Sequence, residues 1–201
     1  WRIDDDWPVV GQPACPCKNS FAARWSRDET AIVATGPDVA VILDGGRVVP
    51  VRPPPIRGWD AAWSADGARV LIVGAGGYAK VFARGGALVH DLGGHRGTVN
   101  HAATSPDGRW FATACSDHLV RVFDLATGTL VHAFDVGAPA TSVAWSPDGE
   151  RLAAAGYDGS IPIWEVATEK LEQRLVDPST QFLDLTFDPT GTRLASAGQD
   201  S

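Results

Sequence analysis

Apolar residues recur along this chain in runs of about six, cut by clusters of Gly, Pro, Asp and Ser. Trp110-Phe111-Ala112-Thr113-Ala114-Cys115 is followed by a Ser116-Asp117-His118 corner, then by Leu119-Val120-Arg121-Val122-Phe123-Asp124, where polar Arg121 stands between apolar neighbours. Ala126-Thr127-Gly128 makes the next turn and Thr129 to Phe134 supplies a fourth run. Such lengths, with period-two character and turn residues at each end, predict β-strands, and no stretch sustains a helical period. The unit they build is a four-stranded antiparallel meander.

The meander repeats. WSRDE at Trp25, WSADG at Trp63, TSPDG at Thr104, WSPDG at Trp145 and FDPTG at Phe187 are five versions of one phrase. Asp66, Asp107 and Asp148 stand 41 residues apart, and Asp28 stands 38 before Asp66. In Ser105-Pro106-Asp107-Gly108, Pro presets φ at the second turn position and Gly accepts the left-handed conformation, which reads as a hairpin turn between the first two strands of each unit. A period near forty residues is the mark of a β-propeller blade. The predicted fold is therefore all-β: about four complete blades at 21–57, 58–97, 98–139 and 140–179, a partial blade at 180–201, and the end of a preceding blade plus connector at 1–20. Pro53-Pro54-Pro55 reads as a stiff connecting loop. Pro162, inside the third strand of the fourth unit, cannot donate to a ladder, so a bulge or the outer face is expected to accommodate it.

Half-blades at both ends leave unpaired strand edges. Either the two ends join to finish a fifth blade, or the sequence is an excerpt of a propeller with about seven blades, within the ~4 to 8 of such folds. The chain contains no Met, so Trp1 does not read as a translation start and the sequence reads as part of something longer.

Composition narrows function by exclusion. A net charge of −7 repels phosphate backbones and anionic membrane surfaces, so neither a nucleic acid nor a membrane is the expected partner. No apolar stretch approaches the ~20 residues that span a bilayer. Cytoplasmic localisation is favoured, although a cleaved leader would leave no trace. Cys15 and Cys17 have no second ligand pair at metal spacing, Cys115 falls in a predicted buried strand, and Asp4-Asp5-Asp6 lacks the Gly and Glu of a calcium loop. No metal or cofactor is expected. The chain also lacks the Gly-x-Ser-x-Gly, His-Glu-x-x-His and phosphate-loop signatures, so no catalytic residues are expected.

Leu92-Gly93-Gly94-His95 ahead of Val99, the Ser-Pro-Asp-Gly turns, the corner residues Asp117 and Asp158, and the strand endings Val122-Phe123-Asp124 and Ile163-Trp164-Glu165 together resemble the Trp-Asp (WD) repeat propellers. The resemblance covers nearly the whole chain. It implies, in each repeat, a hydrogen-bonded set of His, Ser or Thr, Asp and Trp that locks the inter-blade loop. Carried over, the third unit offers His95, Thr113 and Asp117, with Phe123 where Trp is expected. The fourth keeps Asp158 and Trp164 but has Ala154 at the hydroxyl position and Asp135-Val136 in register with Gly-His. A His near an Asp is on this reading a structural lock rather than an acid–base pair.

Stacked blades leave loops on two rims, and strand directions put the corners and the inter-blade loops on one rim and the Pro-Asp-Gly turns on the other. The resemblance implies a non-catalytic scaffold or sensor that grips a protein, a peptide or another domain of its own longer chain on the corner rim. Arg57, Trp59, Arg96, His118 and Tyr157 are the expected contacts, because Trp, Tyr and Arg are enriched among interface hot spots. Trp59 lies in register with Asn100 at the start of an inner strand and fits a channel wall as well as a contact. The alternative is a propeller domain within a larger enzyme, either gating a peptidase or hydrolase or regulating a protein kinase or signalling NTPase. Low Lys beside abundant Arg, Ala and Gly points to a GC-rich genome and a propeller of bacterial type.

Overall fold

Every strand core in the middle of this molecule is covered on both faces, because each sheet stands between two others. In a computed structural model of the chain, which describes residues 21–37, 39–52 and 57–200, four sheets of four antiparallel strands and one of two follow one another in sequence order. Blade one is β1 (Ala22–Trp25), β2 (Ala31–Gly36), β3 (Val39–Asp44) and β4 (Arg47–Pro50). Blade two is β5 (Gly58–Trp63), β6 (Arg69–Gly74), β7 (Ala79–Ala83) and β8 (Leu88–Asp91). Blade three is β9 (Val99–Thr104), β10 (Trp110–Cys115), β11 (Leu119–Asp124) and β12 (Leu130–Asp135). Blade four is β13 (Ala140–Trp145), β14 (Arg151–Gly156), β15 (Ser160–Glu165) and β16 (Lys170–Val176), and the last sheet pairs β17 (Thr180–Phe187) with β18 (Leu194–Asp200). The all-β propeller architecture expected from the repeats is thus the one observed. Among the described residues the one helical element is a 3-10 turn at Ala75–Gly77. The expectations for 1–20, with its cysteines and aspartates, and for the Pro53-Pro54-Pro55 loop lie outside the described residues.

The first strands of successive sheets pack side by side, β1 on β5, β5 on β9, β9 on β13 and β13 on β17, so the sheets fan out from one inner row. Apolar side chains then alternate between the two neighbouring sheets. Ala112 and Ala114 of β10 face blade four with Trp145 and Leu152, whereas Phe111 and Cys115 face blade two with Leu71 and Val81. This explains why the second strands read as near-continuous apolar runs. The outer strands lack that cover, and all seven residues of β16 are exposed.

The repeated phrase closes its turn by a side-chain device. In blade three the Ser105 hydroxyl donates to Asp107 (2.6 Å) and accepts the Trp110 N–H (2.9 Å), while Asp107 also accepts the Arg109 N–H (3.0 Å). Ser26 with Asp28, Ser64 with Asp66 and Ser146 with Asp148 repeat it. The serine hydroxyl is the largest influence holding the Asp66, Asp107 and Asp148 carboxyls below the ordinary carboxylate range. In the fifth copy the two roles are exchanged: Thr190 donates to Asp188 (2.6 Å), which stands at the serine position and takes the Thr192 and Arg193 N–H groups.

Pro162 is buried within β15, and the chain meets its missing N–H by shortening a ladder. Pairing of β14 with β15 stops at Ala153↔Ile163, while pairing with β16 runs through Pro162↔Arg174. The irregularity on the β16 side falls one step later, between Ile163 and Trp164.

Candidate functional site

The corner rim carries the corners between the second and third strands of blades two to four, Ala75–Gly77, Ser116–His118 and Tyr157–Gly159, and the loops that lead into β5, β9, β13 and β17. Arg57, Arg96 and His118 are exposed on it, and Tyr157 is 47% exposed. Trp59 belongs to inner strand β5, where its ring stacks on Phe21 of blade one at 4.8 Å, so it is a wall residue of the inner row at least as much as a rim residue. Tyr157 and Asp158 form one side of a pocket of about 410 Å³ whose other side is Pro178, Ser179, Gln181 and Gln199. The pocket opens between blade four and the last sheet.

Beneath the rim, blade three is fastened by a polar set. His95 Nε2 meets the Thr113 hydroxyl at 2.9 Å, its Nδ1 faces the Leu92 carbonyl at 3.1 Å, and its ring tilts on Phe123. Asp117 does not reach His95. It accepts both guanidinium nitrogens of Arg121 (3.0 and 2.9 Å) and the Arg96 N–H (2.8 Å), and Arg121 also donates to the Gly94 carbonyl (2.9 Å). Burial pushes the Asp117 carboxyl up, but the bonds from Arg121 and Arg96 outweigh it and hold it well below the carboxylate range. Burial, aided by the Arg121 charge, lowers His95 to about 4, so this imidazole is neutral at pH 7. Arg121, only 6% exposed, is the member that alternation reads as a solvent-facing residue. Its signal in the sequence is the acid four residues earlier, at the corner.

Blade four fastens differently. Val136, Ala154 and buried Pro162 stand at the register positions of His95, Thr113 and Arg121, and Trp164 packs on Phe134 at 5.1 Å. Asp158 turns inward on its own corner, accepting the Ser160 N–H (3.1 Å) and hydroxyl (2.8 Å). The guanidinium comes from the strand opposite: Arg174 donates to the Val136 carbonyl (2.8 Å) and to Ser160 (3.2 Å).

Along the inner row, one polar side chain in each of the last four sheets occupies a common level: Asp60, His101, Ser142 and Asp184. Asp60, 3% exposed, accepts the Ala102 N–H of the next blade (3.2 Å) and pairs with Arg24 (2.8 Å). His101 Nδ1 accepts the Val143 N–H (3.4 Å), and its Nε2 faces Asp60 (3.4 Å). Ser142 donates to Asp184 (2.8 Å). The serine hydroxyl is thus directed at a carboxylate and the imidazole at a backbone amide, an arrangement that ties blades together and does not pair a nucleophile with a base. Among the described residues no cluster of His, Cys, Asp and Glu is disposed to hold a metal, and no helix is long and apolar enough to cross a membrane.

The WD domain, G-beta repeat family matches residues 86–124 and 128–165, the stretch that runs from the end of blade two to the third strand of blade four. A ribosome biogenesis protein BOP1 homolog of Leishmania infantum is 37% identical over 91 residues, covering 45% of this chain and 11% of that protein. The LST8 homolog of Drosophila melanogaster is 29% identical over 113 residues, covering 55% of this chain and 36% of that protein. The small ribosomal subunit protein RACK1 of Medicago sativa is 35% identical over 95 residues, 47% of this chain and 29% of that protein. The chain therefore spans well under half the length of these relatives. All three are eukaryotic, and they lend no support to the expected bacterial type; the residue usage that suggested it reports on base composition, not on lineage. The chain carries WD repeats built as β-propeller blades.

Proposed function

We propose that this chain is a non-catalytic interaction scaffold that grips a peptide or partner domain on its corner rim. The observation that carries the reading is the rim pocket of about 410 Å³ beside Tyr157, an aromatic ring left 47% exposed on a loop that the blade beneath holds rigid. The relatives' names are compatible with it, one being a ribosome biogenesis protein and another a small ribosomal subunit protein. The partner on this reading is a protein. A chain of net charge −7 offers little to a phosphate backbone, and its inner polar row is spent on blade-to-blade bonds.

The test is comparative capture. Immobilised wild type, Tyr157→Ala and, on the opposite rim, Glu150→Ala are exposed to one lysate, and retained proteins are quantified by mass spectrometry. Proteins retained by wild type and by Glu150→Ala should fall at least about tenfold with Tyr157→Ala, a hot-spot loss, at unchanged melting temperature. Equal retention by Tyr157→Ala would remove the corner rim from the reading.

A further inference from the structure

The corner rim is not uniform in charge or in backbone. Over blades two and three its exposed charged and imidazole side chains are Arg57, Arg96 and His118, with Asp91 and Asp135 at the outer strand ends; over blade four and the last sheet the exposed side chains include Tyr157, Asp158 and Asp177. The first three form one continuous ledge through backbone contacts. The Arg57 carbonyl accepts the Ala75 N–H (3.1 Å), the Ala75–Gly77 corner abuts the His95 carbonyl, and the Arg96 N–H is held by Asp117, the neighbour of His118. Two of the three carboxylates nearby are paired with cations. Asp117 is taken by Arg121, Asp91 by Lys80, and Asp135 accepts the Gly137 N–H (2.8 Å). Among the described residues no carboxylate pairs with the guanidinium of Arg57 or Arg96.

The backbone under two of these side chains is itself unusual. Arg57 has φ 74° and His118 φ 73°, the left-handed region that non-glycine residues seldom enter. The position of His118 is Gly77 in blade two and Gly159 in blade four, with φ 77° and 81°. Blade three therefore carries an exposed imidazole where its neighbours keep the unstrained residue. Glu29 and Glu169 show the same replacement in turns of the opposite rim, and Glu169 there binds His132 at 2.7 Å. Strain kept at an exposed corner, beside two cations that no described carboxylate pairs, is what a binding contact looks like when the fold itself has no use for it.

We propose that the ledge over blades two and three receives an acidic peptide segment, with Arg57, Arg96 and His118 as the groups that meet its carboxylates. This rests on the scaffold reading and names the chemistry of the partner. The grading of the rim also sets a direction: the acidic part lies over blades two and three, away from Asp158 and Asp177, and an aromatic residue following it stacks on the exposed Tyr157 ring.

Fluorescence anisotropy of the full chain with three labelled probes tests it: a short Asp/Glu peptide carrying one Phe, its Lys counterpart, and an oligouridylate. The acidic peptide should bind, should weaken as salt rises, and should lose at least about tenfold in affinity in the Arg57→Ala/Arg96→Ala double variant. His118→Gly, which places at blade three the residue its neighbours use, should also weaken binding while raising Tm by about 2 °C; its intact fold keeps a loss of binding interpretable. Acidic-peptide binding unchanged in both variants overturns the proposal. Binding of the Lys peptide that Tyr157→Ala abolishes overturns the acidic class and leaves the rim reading standing. Preference for the oligouridylate over the acidic peptide overturns both.

Discussion

Blades three and four share a turn, a strand order and a neighbour, yet they hold their rim loops by opposite means. Blade three uses charge in a buried place: Arg121 on its third strand, 6% exposed, reaches Asp117 and the Gly94 carbonyl, with neutral His95 on Thr113 beside it. Blade four uses Val136, Ala154 and Pro162 at those same register positions and takes its guanidinium from the fourth strand. Arg121 pairs across the ladder with Ala133, and Pro162 pairs with Arg174, so cation and small residue have changed sides. The requirement that persists is a donor for the incoming loop's carbonyl. The strand that supplies it is free to vary.

The sharpest way to break the comparison is Arg121→Ala. It leaves the Asp117 carboxylate in a largely buried site without its cation, and removing one partner of such a pair costs about 4 kcal/mol. The midpoint of chemical denaturation should fall accordingly.

Acid should then separate the two blades. His95 is lowered to about 4 from an ordinary 6.5, so the unfolded chain binds a proton that the folded one refuses. Stability on this account is complete above about pH 6.5, declines as pH falls toward 4, and loses on the order of 3 kcal/mol over that window. Asp117, depressed, acts lower down: its contribution is present above the ordinary carboxylate pKa and is lost as pH falls below it. Blade four has Val136 at the position of His95, and its corner Asp158 binds Ser160 rather than a cation. Hydrogen exchange followed by mass spectrometry at pH 7 and pH 4.5 should therefore show β10 and β11 losing protection while β14 and β15 hold theirs. Uniform loss across both blades would sink the idea that the lock, rather than the whole molecule, is acid-sensitive.

The smallest effect is expected from Arg174→Ala. Its strand is exposed throughout and its two bonds go to neutral oxygens, so about 1 kcal/mol is at stake, a Tm shift of about 2 to 4 °C. A loss as large as that of Arg121→Ala would mean that blade four depends on its strap as fully as blade three on its lock.

The period and the alternation were enough for the architecture, because blade registers are local facts: turn residues at fixed offsets and short apolar runs. They also located the rim, since strand direction follows from order. What they missed is long-range. Arg121 looks like an outward residue because alternation has no knowledge of the Gly94 carbonyl, 27 residues earlier. Pro162 was expected to need a bulge or an outer face, and instead a ladder simply ends beside it. In the turns, attention falls on Pro and Gly, whereas the bonds are made by Ser and Asp, and FDPTG keeps the bond by exchanging donor for acceptor. Asp60 and His101 carried no signal, because each finds its amide one blade away. Trp59 was legible as ambiguous, and its stack on Phe21 shows why.

The placement of Asp60 and His101 has one more effect. The inner strands form one of the two rows of sheet edges in this molecule, and a bare edge of amides is a template on which a stray strand from another molecule can add. Asp60 occupies the Ala102 amide and His101 the Val143 amide. A foreign strand that tried to join β9 or β13 would first have to displace a neighbour's side chain, so the bonds that join the blades also guard the inner row against strand addition.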